Sequence, residues 1–317
     1  MKFRIVIPTH GRPDLLGRTL ESLSECRQPR SYVETIVVEN GGVWGAEEIV
    51  AAAPASLRAR YVRFPVGNKS AALNHVIEAM GGDDFLYMTD DDVRVVPDVL
   101  EAYEAAALKH GPGHFFGGPT RVDYEREPEP HVIKYLPVSA KGWARLGGGI
   151  FVDKPDFLGF NWAAFVGDVR SAGGFDPNRG PGAPTGSTGQ ESDMQRRLLS
   201  RGNRGIYVGE AVVWHYVPQR RCSPEWVLER SQRAGTEQGM ERAGTGRPRY
   251  VRLGGMPIHR LKVVLNTMLT KAHPDPQQRF RARQWLSYER GIDEGYHLQR
   301  ASDRMHEDAI SGGRTAV

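Results

Sequence analysis

Over the first 110 residues, short apolar runs alternate with segments of helical period, and few folds accept that order. Residues 2–8 are an apolar run of strand length. Pro13 stands where a helix can begin, and Leu15, Leu16, Thr19, Leu20 and Leu23 follow with helical spacing. A β-branched run over 34–38 ends in Glu39-Asn40-Gly41-Gly42. Residues 46–53 read as a short helix and 61–64 as a strand. Asn68 is placed to cap a helix whose apolar face carries Ala72, Leu73, Val76, Ile77 and Met80. A further strand over 85–88 precedes a helix over 97–109. This alternation predicts a mostly parallel sheet with helices on both faces.

The run Phe85-Leu86-Tyr87-Met88 stops, after Thr89, in Asp90-Asp91-Asp92. Ligands of open α/β sheets bind outside the carboxyl ends of the strands. Three adjacent carboxylates repel one another unless solvent, cations or donors offset the charge. Oxygen ligands suit a hard divalent ion such as Mg or Mn, which often also holds a phosphate. A solvated acidic turn is the plain alternative; the strand directly before the acids favours a metal–phosphate site.

The middle of the chain is less regular. Residues 115–120 fit a strand, and 124–130 are charged and proline-rich, hence a loop. Residues 147–149 are three glycines. The stretch 180–189 is so rich in Gly and Pro that it excludes a helix or a central strand; it suits a substrate loop or a surface linker. A helix over 190–202 follows, with Met194, Leu198 and Leu199 on one face. Glu191 and Asp193 lie in its first turn, where the helix dipole favours negative charge. Residues 206–208 and 211–214 are short strands, the second ending at His215.

Taken in order, these segments carry Pro8-Thr9-His10-Gly11-Arg12, Glu39-Asn40-Gly41, Asn68-Lys69, the triple Asp, Gly173-Gly174-Phe175-Asp176, Gly189-Gln190-Glu191-Ser192-Asp193 and Trp214-His215. The set resembles the family 2 glycosyltransferases over about residues 2–217. The resemblance implies an α/β chain with the GT-A fold: a Rossmann-like, mostly parallel central sheet flanked by helices, with a helical C-terminal extension. It implies a catalytic domain over 1–217, divided into a nucleotide-binding half (1–110) and an acceptor half (111–217), and a basic, mainly helical region over 218–317. The implied activity is inverting transfer of a sugar from a nucleotide-sugar donor to an acceptor hydroxyl, in polysaccharide or glycoconjugate biosynthesis. The acceptor class stays open among saccharide, lipid-linked and small-molecule compounds.

The resemblance also assigns roles. The triple Asp resembles the family's Asp-X-Asp metal motif, with Asp92 and the late His215 as ligands of a divalent cation, Mn or Mg. Donor-binding positions are Pro8, Thr9, Arg12, Glu39, Asn40, Asn68, Lys69, Asp90 and Asp91. Glu191 matches the position of the catalytic base, with Asp193 in reserve, and Trp162, Gly189 and Gln190 fall on the acceptor side. Two positions depart from the family's usual pattern. Gln190-Glu191 replaces a Glu-Asp pair, and Glu39 stands where Asp is usual. Two rivals remain in view: a sugar-phosphate nucleotidyltransferase, whose Gly-rich opening loop is represented only by Gly11 and Arg12, and an inactive sugar-nucleotide-binding scaffold.

Composition narrows the setting. The two cysteines, Cys26 and Cys222, lack metal-ligand spacing and suit a reducing cytoplasm. The N-terminal apolar run is too short for a signal peptide, and no run reaches the roughly 18–20 apolar residues of a membrane span. Net charge is +4 but uneven: residues 1–217 hold 24 Lys and Arg against 27 Asp and Glu, whereas 218–304 hold 17 against 9. Nothing resembles a nucleic-acid-binding motif. In the basic third, Leu261, Val264, Leu265, Met268 and Leu269 recur at helical spacing beside Lys262 and Lys271, with Arg281, Arg283, Arg290, Arg300 and Arg304 beyond. Such a helix caps a core, joins two copies or lies on an anionic membrane; the need to bury apolar faces favours the first two.

Overall fold

The computed structural model describes residues 1–145, 150–154, 157–184, 189–250, 252–253 and 256–312, with side chains described except at 252–253, 256–258, 260 and 302–312. The glycines 147–149 and residues 185–188 of the Gly-rich stretch lie outside the described residues. The chain divides into two compact units, Met1–Asp123 with Val138–Tyr216, and Tyr124–Pro137 with Val217–Val317.

The first unit opens with β1 (Lys2–Thr9), α1 (Pro13–Ser24), β2 (Tyr32–Asn40), α2 (Ala46–Ala51), β3 (Ala59–Phe64), α3 (Lys69–Glu78) and β4 (Asp84–Met88). β1 pairs in parallel with β2 and with β4, and β2 in parallel with β3. After β5 (Val93–Val95), α4 (Val99–His110), β6 (His114–Gly117) and β7 (Thr120–Tyr124), the chain enters the second unit through α5 (Pro130–Ile133) and returns with β8 (Phe151–Val152), β9 (Trp162–Phe165), α6 (Val166–Ser171), α7 (Gln190–Ser200), β10 (Arg204–Tyr207) and β11 (Val213–Val217). The main sheet has the order β3-β2-β1-β4-β9-β6-β10-β8. β9 runs antiparallel between β4 and β6, so the parallel half of the sheet ends at the strand that carries the three acids.

The alternation of β1 explains why its apolar run is nearly continuous. Phe3, Ile5 and Ile7 pack on Leu16, Leu20 and Leu23 of α1. Val6 joins Ile36, Val38, Leu86 and Met88 on the other face, against Ala72, Leu73, Val76 and Ile77 of α3 and Met194 and Leu198 of α7. A strand covered by helices on both faces buries both of its side-chain sets.

Two departures from the sequence reading change how the strands are placed. The strand expected over 115–120 is split into β6, which ends at Gly117, and β7 by Gly118-Pro119. A Cβ on Gly117 would lie 2.1 Å from the Phe157 ring, and one on Gly118 2.1 Å from the Ala211 carbonyl oxygen. The strand expected to end before His215 instead runs to Val217, as the middle strand of a second sheet, β5-β11-β7. Val213, His215 and Val217 face inward in strict alternation, so the histidine belongs to the buried face.

The second unit is helical: α8 (Pro224–Gly244), the two-residue strands β12 (Arg252–Leu253) and β13 (Met256–Pro257), α9 (Ile258–Ala272) and α10 (Pro276–Gly312). Ser223 caps α8, its Oγ accepting from the Trp226 amide at 3.1 Å. α5 belongs here because His131 and Tyr135 pack their rings on Phe280 of α10. α8 and α10 approach closely through Gly235, Gly239, Gly291 and Gly295. A Cβ on Gly291 would fall 1.9 Å from the Gln232 carbonyl oxygen, and one on Gly295 1.9 Å from that of Thr236. Backbone cannot yield as a flexible side chain can, so Gly295→Ala is expected to part the helices. The overpacking cost of ~1–3 kcal/mol outweighs the gain in helix propensity of ~1 kcal/mol. Gly244→Ala, which meets nothing within 4 Å, is the control. Thermal unfolding followed by far-UV circular dichroism should show destabilisation only for Gly295→Ala; equal midpoints would mean that the glycine contact carries no weight.

Candidate active site

The carboxyl ends of β1 and β4 meet over the three acids. Thr9 Oγ1 donates to Asp91 Oδ2 at 2.6 Å. Arg12, at the start of α1, reaches across the same ends: Nη1 donates to Asp92 Oδ2 at 2.6 Å, Nη2 to Asp91 Oδ1, and Nε to Asp91 Oδ2 at 3.3 Å. Burial pushes the Asp91 carboxyl up to about 6, and Arg12 only partly opposes this. Asp90 turns the other way, to Lys69 Nζ at 2.5 Å. Burial would lower the Lys69 ammonium, yet Asp90 and then Glu191 hold it above its ordinary value. Burial would likewise raise Asp90, and Lys69 more than reverses that. The acids are therefore divided between two cations on two helices, which relieves their mutual repulsion.

His215 stacks on Phe160, with ring centroids 4.5 Å apart and planes 10° apart. Its Nδ1 lies 2.8 Å from the Ser139 carbonyl oxygen. A carbonyl only accepts, so Nδ1 donates to it, and Nε2 faces Asp92 Oδ1, 3.6 Å away. Asp92 Oδ1 is buried and has no hydrogen-bond partner. Two lone-pair donors facing each other across that gap suit a cation between them. Among the described residues, no group of three or more His, Cys, Asp or Glu side chains is arranged to hold a metal ion. Asp92 Oδ1 and His215 Nε2 are the two atoms here that could hold an ion.

Glu191 sits in the first turn of α7, whose N-cap Gly189 is left-handed (φ 81°). Its Oε2 is buried without a hydrogen-bond partner among the described residues. Its carboxylate shares a small cavity with Pro8, Lys69, Asp90, Gly159 and Trp162. Gly159 makes room for it: a Cβ there would fall 2.3 Å from Glu191 Oε1. Asp193, two residues on, is occupied otherwise. It accepts from Arg197 Nε at 2.9 Å and Arg196 Nη1 at 3.4 Å, with Arg179 Nε at 3.7 Å. Arg197 also donates to the carbonyls of Ala172 and Gly174, pinning the Gly-Gly-Phe-Asp turn.

The remaining expected site residues are placed as follows. Asn68 caps α3, its Oδ1 accepting from the Ala71 amide at 2.9 Å, and its Nδ2 donates to the Pro177 carbonyl at 2.8 Å. Glu39 is buried: Oε1 accepts from the Trp44 and Ala46 amides, and Oε2 from the Tyr61 hydroxyl at 2.7 Å. Most of its acceptor capacity is thus spent within the chain. Asn40 Nδ2 donates to the Thr9 carbonyl at 2.8 Å. Trp162 is 1% exposed, lies opposite Met88 in β4, and meets Phe175 edge-on; only part of its ring borders the cavity. Gln190 is buried under Gly180, whose Cβ would fall 2.2 Å from Gln190 Oε1.

Several positioning residues escape the sequence reading. Ser70 Oγ donates to the Arg179 carbonyl at 2.7 Å, and Asn74 both accepts from the Phe175 amide and donates to its carbonyl, each at 2.7 Å. With Asn68, they stitch residues 175–182 to the first turns of α3. The available signal is a polar residue at each helical turn of an otherwise apolar face.

Known proteins share this architecture. A mannosyltransferase from Pyrobaculum calidifontis, solved with GDP-Man and Mn2+, matches 94% of this chain and 86% of its own at a TM-score of 0.55 and 17% identity. S. aureus TarS (residues 1–349) matches 96% and 92% at 0.51 and 13%. These likenesses establish the GT-A fold. In sequence, the succinoglycan biosynthesis protein ExoM of Rhizobium meliloti (strain 1021) is 29% identical over 248 residues, 74% of this chain and 73% of that protein. Residues 4–167, just over half of the chain, match the sequence profile of glycosyl transferase family 2. This chain therefore belongs to glycosyl transferase family 2.

Proposed function

We propose that this glycosyltransferase moves a sugar from a nucleoside-diphosphate sugar to a hydroxyl of a saccharide acceptor, in one displacement that inverts the anomeric centre. The observation that carries this reading is the contrast within one helical turn: Glu191 lines the cavity with Lys69 and Asp90 and has a carboxylate oxygen with no hydrogen-bond partner among the described residues, while Asp193 is held by arginines. A general base must be free to accept a proton. The acceptor O–H proton passes to Glu191 as the oxygen bonds to the anomeric carbon. The bond from that carbon to the diphosphate oxygen breaks, and the diphosphate leaves with the electron pair.

The site's cations meet that charge. Lys69 stands in the first turn of α3, where amides and helix dipole favour an anion. Arg12 is the second cation within reach of the acids. A divalent cation, Mn or Mg, held by Asp92 and His215, would supply charge neutralisation at the departing diphosphate. Thr9 and Asn40, at the ends of β1 and β2, take the nucleoside side, with Glu39 ordering that strand end through the Trp44 and Ala46 amides. The polysaccharide named for the ExoM relative supports a saccharide acceptor.

The test is stereochemical. UDP-, GDP- and dTDP-sugars are screened by thermal shift with Mn, since a ligand that binds only the folded chain raises its apparent stability. The donor found is then turned over with saccharide acceptors and the product read by NMR. An α-linked donor is expected to give a β-linked product with one nucleoside diphosphate released per transfer. An α-linked product would refute single displacement, and binding without release would favour the inactive scaffold.

A further inference from the structure

α9 leaves its apolar stripe outside. Leu261 is 73% exposed, Val264 50%, Leu265 54% and Met268 62%. Spaced i, i+3, i+4 and i+7, they form one stripe along the helix. The core-capping reading of this segment is thereby corrected, because folding leaves these four side chains in solvent. α9 rests on α10 by a different side: Val263, Thr267 and Thr270 border a cavity shared with Leu286 and Arg290 of α10.

The charges around the stripe say what covers it. Residues 258–272 contain Arg260, Lys262 and Lys271 and no Asp or Glu. By the 3.6-residue period, Lys262 and Lys271 stand on opposite flanks of the stripe, and both are exposed. A second copy joined face to face would bring basic flanks together with no acid of α9 to pair them. An anionic lipid surface meets every element: acyl chains for the stripe, and headgroups for ammonium groups that reach outward on flexible stems. At 15 residues, α9 is shorter than the roughly 20 apolar residues of a spanning helix, and no described helix is long and apolar enough to cross a membrane.

We propose that α9 docks the protein on an anionic lipid surface, lying in its plane with Leu261, Val264, Leu265 and Met268 among the acyl chains and Lys262 and Lys271 at the headgroups. Co-sedimentation of the full chain with phosphatidylcholine vesicles, with and without phosphatidylglycerol, tests it. Binding is expected to require phosphatidylglycerol and to weaken as salt rises. The double change Leu265→Glu with Met268→Glu should weaken it at least about tenfold, and Lys262→Glu with Lys271→Glu by about tenfold. All four positions are exposed, so the helical circular dichroism should be unchanged; if the apolar pair alters it, the lysine pair decides. Failure of wild type to bind at low salt, or unchanged binding by the variants, overturns the proposal. So does a wild-type dimer in sedimentation velocity that Leu265→Glu with Met268→Glu turns into a monomer, which would assign the stripe to a second copy.

Discussion

Glu191→Gln is expected to lower the transfer rate by roughly 10²–10⁴-fold while donor affinity stays near that of wild type. The amide keeps the size and reach of the side chain, so it still fits the space left by Gly159. It lacks the basic oxygen that, in the proposed mechanism, takes the acceptor proton. Asp193→Asn is expected to act differently. Its carboxylate holds Arg197, and Arg197 holds the turn over Ala172 and Gly174. Losing that ion pair should loosen the acceptor side and show mainly in KM. Single-turnover kinetics with donor in excess separate the two. A chemical step slowed by Asp193→Asn and untouched by Glu191→Gln would move the base to Asp193. Gly159→Ala gives a third reading of the same geometry, since its Cβ would displace the Glu191 carboxylate without changing its chemistry.

What is legible in the sequence follows from the range of the interaction involved. The Asn68 cap is local, and it is seen at the expected residue because cap and capped amide are three positions apart. The alternation of β1 and the helical period of α1 and α3 are local as well, and they suffice for the sheet and its two covered faces. The bonds from Ser70 and Asn74 to residues 175–182 span about a hundred residues; the polar positions on α3 are visible in the sequence, but their distant partners are not. His215 misleads by residue type. A polar residue reads as the end of a strand, yet its ring is buried because Phe160 stacks on it and the Ser139 carbonyl accepts its proton. α9 shows a third limit. The same apolar period serves a core, a dimer or a membrane surface, and only the exposure of the stripe distinguishes among them.

Asp92→Ala is expected to abolish the dependence of nucleoside-diphosphate binding on Mn, a loss of at least about 10²-fold in the presence of the ion. The substitution removes the oxygen that has no hydrogen-bond partner among the described residues, Asp92 Oδ1, and leaves His215 Nε2 as a single donor. It should not unfold the protein. Arg12 keeps Asp91 as a partner through two of its nitrogens, and Asp91 is relieved of a neighbouring charge that helps raise its pKa. Calorimetry with the diphosphate, with and without Mn, separates the outcomes. Wild type should bind far more tightly with the ion, and Asp92→Ala equally with and without it. The same Mn-dependent gain in the variant would remove Asp92 from the metal's ligands. Binding lost to the same extent without the ion would mean that Asp92 acts on the donor through Arg12, whose guanidinium it now holds at 2.6 Å. His215→Ala tests the partner ligand: it should reduce the Mn-dependent gain and leave the ion-free affinity little changed, because its ring approaches the acids across the gap at Asp92 Oδ1, at 3.6 Å.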